Sequence, residues 1–312
     1  MPLALVTGGA GFIGSHLSEG LLARGYKVRV LDNFSTGHRE NLAGLIDQIE
    51  LIEGDIRSLT TVQDAVRNAD VVFHEAALPS VARSVESPLE SNEVNITGTL
   101  NVLLAARDAG VRRVVFAASS AAYGNQATLP KVETMTPDPL SPYAIGKLTS
   151  ERYMRVFSEL YGLSTVSLRY FNVFGPRQDP TTQYAGFIAK VISCALNEEI
   201  YPVFGDGEQS RDFTYVENVV QANLLAAEKE ISGAPVINIA CGDRITLNQT
   251  IALVNELTQQ AIPSHFGPPR PGDVLHSQAD ITLAKTLLGY SPKVDLREGL
   301  RRTLEWSRNQ MR

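Results

Sequence analysis

An α/β fold built on a doubly wound, mostly parallel sheet is the class this chain predicts, and three observations predict it. Apolar runs of strand length recur through the first two-thirds of the chain. Stretches with helical apolar spacing lie between them, and strand alternating with helix implies parallel strands joined by helical crossovers. Runs such as Val114-Val115-Phe116 are apolar without alternation, which suits strands covered on both faces.

The first strand is Leu3-Ala4-Leu5-Val6, and it leads into Thr7-Gly8-Gly9-Ala10-Gly11-Phe12-Ile13-Gly14. Strand, glycine turn and helix in succession place a pyrophosphate on a helix N-terminus. Gly8 makes the tight turn, Gly11 lets the backbone reach the phosphates, and Gly14 lets helix and strand close up. Ile13, Leu17 and Leu21 mark the apolar stripe of the helix, and Gly25 ends it. A second strand at 27–31 delivers Asp32, where an acid can accept from a ribose hydroxyl. Further strands are expected at 49–53, 71–74, 114–118, 165–169 and 235–239. Helices are expected at 59–68, 92–109, 143–161, 216–229 and 247–257. Sheets of this kind bind ligands beyond the carboxyl ends of their strands, which points to Asp55 and to residues 74–78, 119–123 and 170–172. After about Phe171, prolines and glycines cluster at 175–180, 205–207 and 267–272, the texture of a loop-rich lobe. The expected organisation is a Rossmann-type nucleotide-binding domain over 1–170, with a later return at about 213–240. A smaller C-terminal α/β lobe over 171–312 mainly binds substrate.

At 312 residues the chain is long enough for a large core. Hydrophobic residues make up 44% and charged residues 20%, the balance of an ordinary globular protein. A net charge of -6 argues against nucleic-acid and anionic-membrane partners, both of which need a basic surface. No apolar run approaches the roughly 18 residues of a membrane span. The N-terminus lacks the basic and apolar regions of a signal peptide, so a cytoplasmic location is expected. Cys194 and Cys241 are too few for a disulfide framework, and no grouping has zinc-like spacing, so no metal is expected. His74 reads as a packed or loop histidine and His16 as a helix-surface residue. Glu75 is open between a substrate contact and solvent.

The second strong signal is Ser141-Pro142-Tyr143-Ala144-Ile145-Gly146-Lys147. Ser141 can cap a helix and Pro142 fits its first turn. Tyr143 and Lys147 then lie one turn apart on the same face. An ammonium close to a phenol favours the phenolate and makes it a usable base near neutral pH. Alone, such spacing is commonly a surface pair; after a nucleotide-binding start and a Ser-rich strand end it reads as catalytic.

With these motifs the chain resembles, nearly end to end, the extended short-chain dehydrogenase/reductase family, and within it the UDP-hexose 4-epimerases. The family's glycine fingerprint matches Gly8, Gly11 and Gly14, and its Tyr-x-x-x-Lys pair matches Tyr143 and Lys147. Its catalytic Ser/Thr, four residues before a Tyr-Gly pair, falls at Ser119. The resemblance implies NAD as cofactor. Its contacts would be Gly8, Gly11, Phe12, Ile13 and Gly14 in the turn, Asp32 and Asn33, then Asp55 and Ile56 around the adenine. Ala76, Ala77, Asn95, Tyr143, Lys147 and Tyr170 would follow toward the nicotinamide. It implies substrate contacts at Ser119, Ser120, Asn172 and Ser277, with Arg211, Arg270 and Asp273 as a uridine-diphosphate clamp. Guanidinium groups suit that clamp because they grip phosphate oxygens in fork geometry. NAD is preferred over NADP because Asp32 would repel a 2′-phosphate.

In the implied reaction, the Tyr143 phenolate takes the proton of the sugar 4-hydroxyl as hydride leaves C4. A 4-keto sugar forms, turns over, and accepts hydride on its other face. The family's 4,6-dehydratases carry Asp-Glu after the catalytic Ser/Thr, and its UDP-glucuronate decarboxylases a Glu. This chain reads Ser119-Ser120-Ala121-Ala122 there, which disfavours elimination. UDP-glucuronate 4-epimerases usually have Thr where Asn172 stands, and Arg177 could still meet a carboxylate, so that alternative stays open. A non-catalytic NAD-binding regulator is disfavoured, because Ser119, Tyr143 and Lys147 are all present. Ser277 and Ala279 are small where the family's sugar pocket is walled beside C2. The expected reaction is therefore UDP-N-acetylglucosamine/UDP-N-acetylgalactosamine interconversion, with UDP-glucose/UDP-galactose second. A homodimer pairing helices 92–109 and 143–161 is expected from the resemblance alone.

Overall fold

The computed structural model describes residues 1–181, 186–261, 263–268 and 274–310. The first half alternates strand and helix: β1 (Leu3–Thr7), α1 (Phe12–Ala23), β2 (Lys27–Asp32), β3 (Ile49–Glu53), α2 (Leu59–Val66) and β4 (Val71–His74). Two short helices follow, α3 (Val81–Glu86) and α4 (Pro88–Asn92), then a π-helical turn at Glu93–Thr97 that runs into α5 (Gly98–Asp108). The helix expected at 92–109 thus starts earlier, because Pro88 takes the first-turn position that proline tolerates. Next come β5 (Arg113–Ser119), α6 (Pro142–Tyr161) and β6 (Thr165–Tyr170). Local chemistry fixes α6 at both ends. Ser141 accepts from the Ala144 N–H at its start, and Gly162 at φ 69 stops it in the left-handed region.

The second half holds β7 (Val173–Phe174), α7 (Phe187–Asn197), β8 (Tyr201–Phe204), β9 (Ser210–Arg211), β10 (Thr214–Tyr215) and α8 (Val216–Glu228). It continues with β11 (Val236–Ile239), β12 (Ile245–Thr246), α9 (Leu247–Thr258), β13 (Ser264–Gly267), α10 (Thr282–Leu288) and α11 (Leu296–Gln310). The sequence reading took parts of this half as loop. Strands of two residues such as β7 and β9 carry no periodicity to read, and α11 is strongly charged, with Leu300 and Leu304 as its buried face.

Seven strands form one parallel sheet in the order β11-β6-β5-β4-β1-β2-β3. The order reverses beside β1, and that switch opens a crevice at the carboxyl ends. Apolar side chains cover both faces. Leu17 and Leu21 of α1, Val219 and Leu224 of α8 and Leu288 of α10 pack on one; Val62 of α2, Val102 and Leu103 of α5 and Phe157 of α6 pack on the other. A separate core gathers Ile188 and Ile192 of α7, Val203 of β8, Ile251 and Val254 of α9 and Leu300 of α11. The apolar core of this second half is thus separate from the two that cover the sheet.

Candidate active site

The turn after β1 is shaped by its glycines. Gly8 stands at φ +70, and a Cβ there would come within 2.7 Å of Ala76 backbone atoms. A Cβ on Gly14 would run into the carbonyl oxygen of Gly8, so helix and turn close up only around glycine. Gly11 is the N-cap of α1 and gives no side chain to the first-turn N–H groups, which leaves the helix N-terminus available to an anion. Phe12 and Ile13 head the helix and pack against the core of the second half. Asp32, 7% exposed, closes β2. Its carboxylate accepts from the N–H groups of Ala10 at 2.9 Å and Phe34 at 2.8 Å, and burial raises its pKa. Each oxygen keeps a lone pair for a ribose hydroxyl. Asn33 donates to Asp55 at 2.8 Å, and Arg57 grips the same carboxylate at 2.7 Å, holding its pKa down to about 2. Ile56 is buried next to Gly98. An open helix N-terminus, an acid at the next strand and an apolar wall beyond it fit NAD.

A directed chain of hydrogen bonds fixes the neighbouring loop. Thr99 Oγ1 donates to the Asn95 carbonyl at 2.7 Å, so it accepts from His74 Nε2 at 2.9 Å. His74 Nδ1 then accepts from Thr7 Oγ1 at 2.8 Å, which itself accepts from the Ala76 N–H at 3.3 Å. Burial pulls His74 down to about 3 and keeps it neutral, as this order requires. Asn95 accepts from the Leu78 N–H at 2.8 Å and donates to the Leu78 carbonyl at 3.2 Å. Its side chain is spent on the loop that carries Ala76 and Ala77.

Ser119 ends β5, with Ser120 opening a short 3₁₀ turn behind it. The Ser119 hydroxyl accepts from the Ala121 N–H at 3.2 Å and is near enough to the Tyr143 phenol to act on it. Burial raises the Tyr143 pKa, and the Ser119 hydroxyl works against the rise. The sequence predicts that Lys147 lowers it. Lys147, 4% exposed, instead donates to the Ala117 carbonyl at 2.7 Å, its Nζ 4.9 Å from the Phe116 ring centre. Burial lowers the Lys147 pKa, opposed by the carboxylates of Glu75 and Glu151.

Glu75, left undecided by the sequence, is partly buried one residue past β4. It accepts from the Tyr170 hydroxyl at 2.8 Å, and that hydroxyl accepts from Asn223 Nδ2 at 2.7 Å. Burial lifts the Glu75 carboxyl well above its usual range, and burial also lifts the Tyr170 phenol. Its place beyond a strand's carboxyl end was the available signal; Asn223, mid-helix in α8, offered none.

Across the crevice, Asn172 stands at φ +33 and donates to Ser277 Oγ at 3.0 Å and to the Asp212 carbonyl at 3.3 Å. Ser277 is 8% exposed. Arg211 donates to the carbonyls of Ser210 at 3.0 Å and Leu275 at 3.1 Å. Asn172 and Arg211 line one cavity of about 90 Å³ with Phe187 and Phe213. Beneath them Asp212, unnoticed in the sequence, accepts from the N–H groups of Cys241, Gly242 and Ala279 at 3.0 to 3.1 Å. Burial pushes its carboxyl up to about 7 against those donors. Arg270 and Asp273 lie outside the described residues. Arg177 already meets a carboxylate, that of Glu19 at 2.9 Å. His16 is no surface residue: it bonds the Pro176 carbonyl at 3.0 Å, and burial lowers its pKa to about 4. A larger cavity, about 610 Å³, lies between α6 and residues 133–137 and holds none of the candidate residues.

A model of the NAD dependent epimerase/dehydratase family matches residues 4–240. This chain belongs to that family. Its cofactor is NAD, and the resemblance to the extended short-chain dehydrogenase/reductases holds along the chain. A solved UDP-glucose 4-epimerase from Thermotoga maritima, with UDP-glucose, is 42% identical over 99% of this chain and 100% of that one, with a TM-score of 0.95. A UDP-N-acetylglucosamine 4-epimerase from Methanobrevibacter ruminantium, in complex with UDP-N-acetylmuramic acid, is 40% identical over 99% of both chains, TM-score 0.95. A UDP-glucuronic acid 4-epimerase from Bacillus cereus, with UDP-glucuronic acid and NAD, is 32% identical over 99% of both, TM-score 0.92. Among the described residues no helix is long and apolar enough to cross a membrane, and no group of three His, Cys, Asp or Glu could hold a metal.

Proposed function

We propose that this chain is a UDP-sugar 4-epimerase acting on UDP-N-acetylglucosamine and UDP-N-acetylgalactosamine, with UDP-glucose and UDP-galactose as second substrates. The observation that carries the reaction is the Ser119 hydroxyl near the Tyr143 phenol, beside a buried Lys147 at the carboxyl ends of the sheet. Tyr143 takes and returns the proton of the sugar 4-hydroxyl, and Ser119 donates where negative charge gathers on that oxygen. Lys147, on the same helix face, is held by the Ala117 carbonyl and would have to leave it to reach the phenolate. NAD, when bound, accepts and returns the hydride. Gly8, Gly11, Gly14, Asp32 and the Asn33–Asp55 pair hold the cofactor; Asn172, Arg211 and the clamp residues Arg270 and Asp273 hold the diphosphate.

The preference for acetylated sugars rests on Ser277. Its contact with Asn172 supports placing both beside the sugar, and its small side chain leaves room for an acetamido group. For the uronate reading, Arg177 spends one nitrogen on Glu19 and keeps a second, buried nitrogen without a hydrogen-bond partner, so that alternative stays open. A panel assay with UDP-N-acetylglucosamine, UDP-glucose and UDP-glucuronate, with products separated by chromatography, tests the choice. Fastest turnover of the acetylated sugar is expected; fastest turnover of UDP-glucuronate overturns it.

A homodimer is part of the same proposal. Leu103 of α5 is buried on the sheet, and Leu100 and Leu104 pack beside it, so these leucines are not free for a partner. Exposed apolar side chains on the neighbouring helices include Val81 and Val85 of α3, Leu89 of α4, and Ile145, Val156, Leu160 and Tyr161 of α6. Sedimentation giving only monomer at micromolar concentration would remove this part. A cytoplasmic location stays with the proposal.

A further inference from the structure

The sheet order places β4 between β1, whose turn carries the phosphate cradle, and β5, which ends at Ser119. A dinucleotide that joins the cradle to a group reacting at Tyr143 therefore passes the end of β4. Glu75 is the residue there. Its backbone lies against the turn itself, since its carbonyl carbon is within 3.1 Å of where a Gly8 Cβ would stand. Its side chain is aimed by Tyr170, whose hydroxyl donates to one carboxylate oxygen and is in turn held by Asn223.

Lys147 brings one positive charge toward Glu75 from α6. An oxidised nicotinamide bound here would bring a second, which the reduced ring lacks. Neighbouring charges cannot balance both. Glu151, further along α6, is committed to the buried Arg169 at 2.7 Å, and His74 is neutral. Burial raises the pKa of Tyr143 and of Tyr170, whose hydroxyl donates to Glu75. Glu75, drawn toward its charged form by Lys147, is bonded by Tyr170 and, among the described residues, by no guanidinium.

We propose that Glu75 is the counter-charge to the oxidised nicotinamide and sets the preference of this protein for NAD over NADH. The proposal rests on the family's cofactor and on no choice of sugar. Because the carboxylate attracts only the oxidised ring, it keeps the resting protein in the form that accepts hydride. Burial holds the carboxyl above its usual range in the absence of that ring, and Lys147 draws it back toward the charged form.

The test is an exchange competition on the purified protein without sugar. Protein equilibrated with mixed NAD and NADH is desalted, and the bound fraction of each is read from the near-ultraviolet absorbance and fluorescence of the reduced form. Glu75→Gln keeps an acceptor for Tyr170 and removes the charge. The bound NAD:NADH ratio is expected to fall about tenfold, the size of one partly screened unit-charge interaction. Glu75→Asp, which keeps the charge, should stay close to the parent protein. An unchanged ratio in Glu75→Gln overturns the proposal, and so does an equal fall in Glu75→Asp. Since no sugar is present, a failed epimerase assay leaves this readout intact.

Discussion

The two walls of the crevice are built by different means. On the β1–β4 side, the cradle comes from backbone turns and strand ends adjacent in the sheet, and a few glycines decide its shape. On the other side, Asn172 reaches Ser277 across 105 residues of sequence, and Asp212 ties together loops around Cys241, Gly242 and Ala279. In the proposed function the first wall holds the dinucleotide, and the second, assembled from single side chains of distant segments, holds the UDP-sugar.

The largest expected effect tests whether both walls serve one residue. Tyr143→Phe should lower kcat at least about a thousandfold while bound NAD and the melting temperature stay unchanged. Turnover within tenfold of the parent would remove Tyr143 as the base. On the cofactor wall, Gly14→Ala forces a Cβ into the Gly8 carbonyl. It should cost about 3 kcal/mol of stability and leave protein that purifies without NAD, read by thermal scan and absorbance.

On the substrate wall, Asp212 gives a pH signature. Burial raises its folded pKa to about 7, above its unfolded value. Its contribution to stability is therefore fully present below the unfolded value and is lost as pH rises through about 7. Melting curves from about pH 4 to about pH 8 should show the parent losing roughly 1–3 kcal/mol that Asp212→Asn, though less stable throughout, does not lose. Parallel slopes would discard the assignment. Ser277→Ala should have the smallest effect. Without the acceptor for Asn172, KM for the UDP-sugar should rise about threefold to tenfold with kcat nearly unchanged. Ser277→Tyr adds a ring at a position 8% exposed. It should slow N-acetylhexosamine turnover about 10- to 100-fold and spare UDP-glucose; equal slowing of both would mean lost packing, not lost room.

Much of the first wall was legible because its signals are local. Gly8, Gly11 and Gly14 follow a strand directly, Asp32 ends the next one, and Ser141 with Pro142 announces the helix that carries Tyr143 and Lys147. Local patterns do not reveal direction or partners. Spacing put Lys147 beside Tyr143, but burial beneath Ala117 decided where its ammonium points. Glu75 and Asp212 owe their raised pKa values to burial, which no local pattern shows, and Asn223 looks like any polar position on a helix. In the lobe after Phe171 the helices at 216–229 and 247–257 and the strand at 235–239 were legible. But β7, β8, β9 and β13 were not, because these strands are two to four residues long and their partners lie far away.

The most direct measurement uses a UDP-hexose carrying deuterium at C4, incubated with the purified protein and no added cofactor. If Tyr143 moves only the proton and a retained NAD returns the hydride, the 4-epimer forms with the deuterium still on C4. Deuterium washed out into solvent, or no 4-epimer from any of the UDP-sugars tested, would contradict that reading.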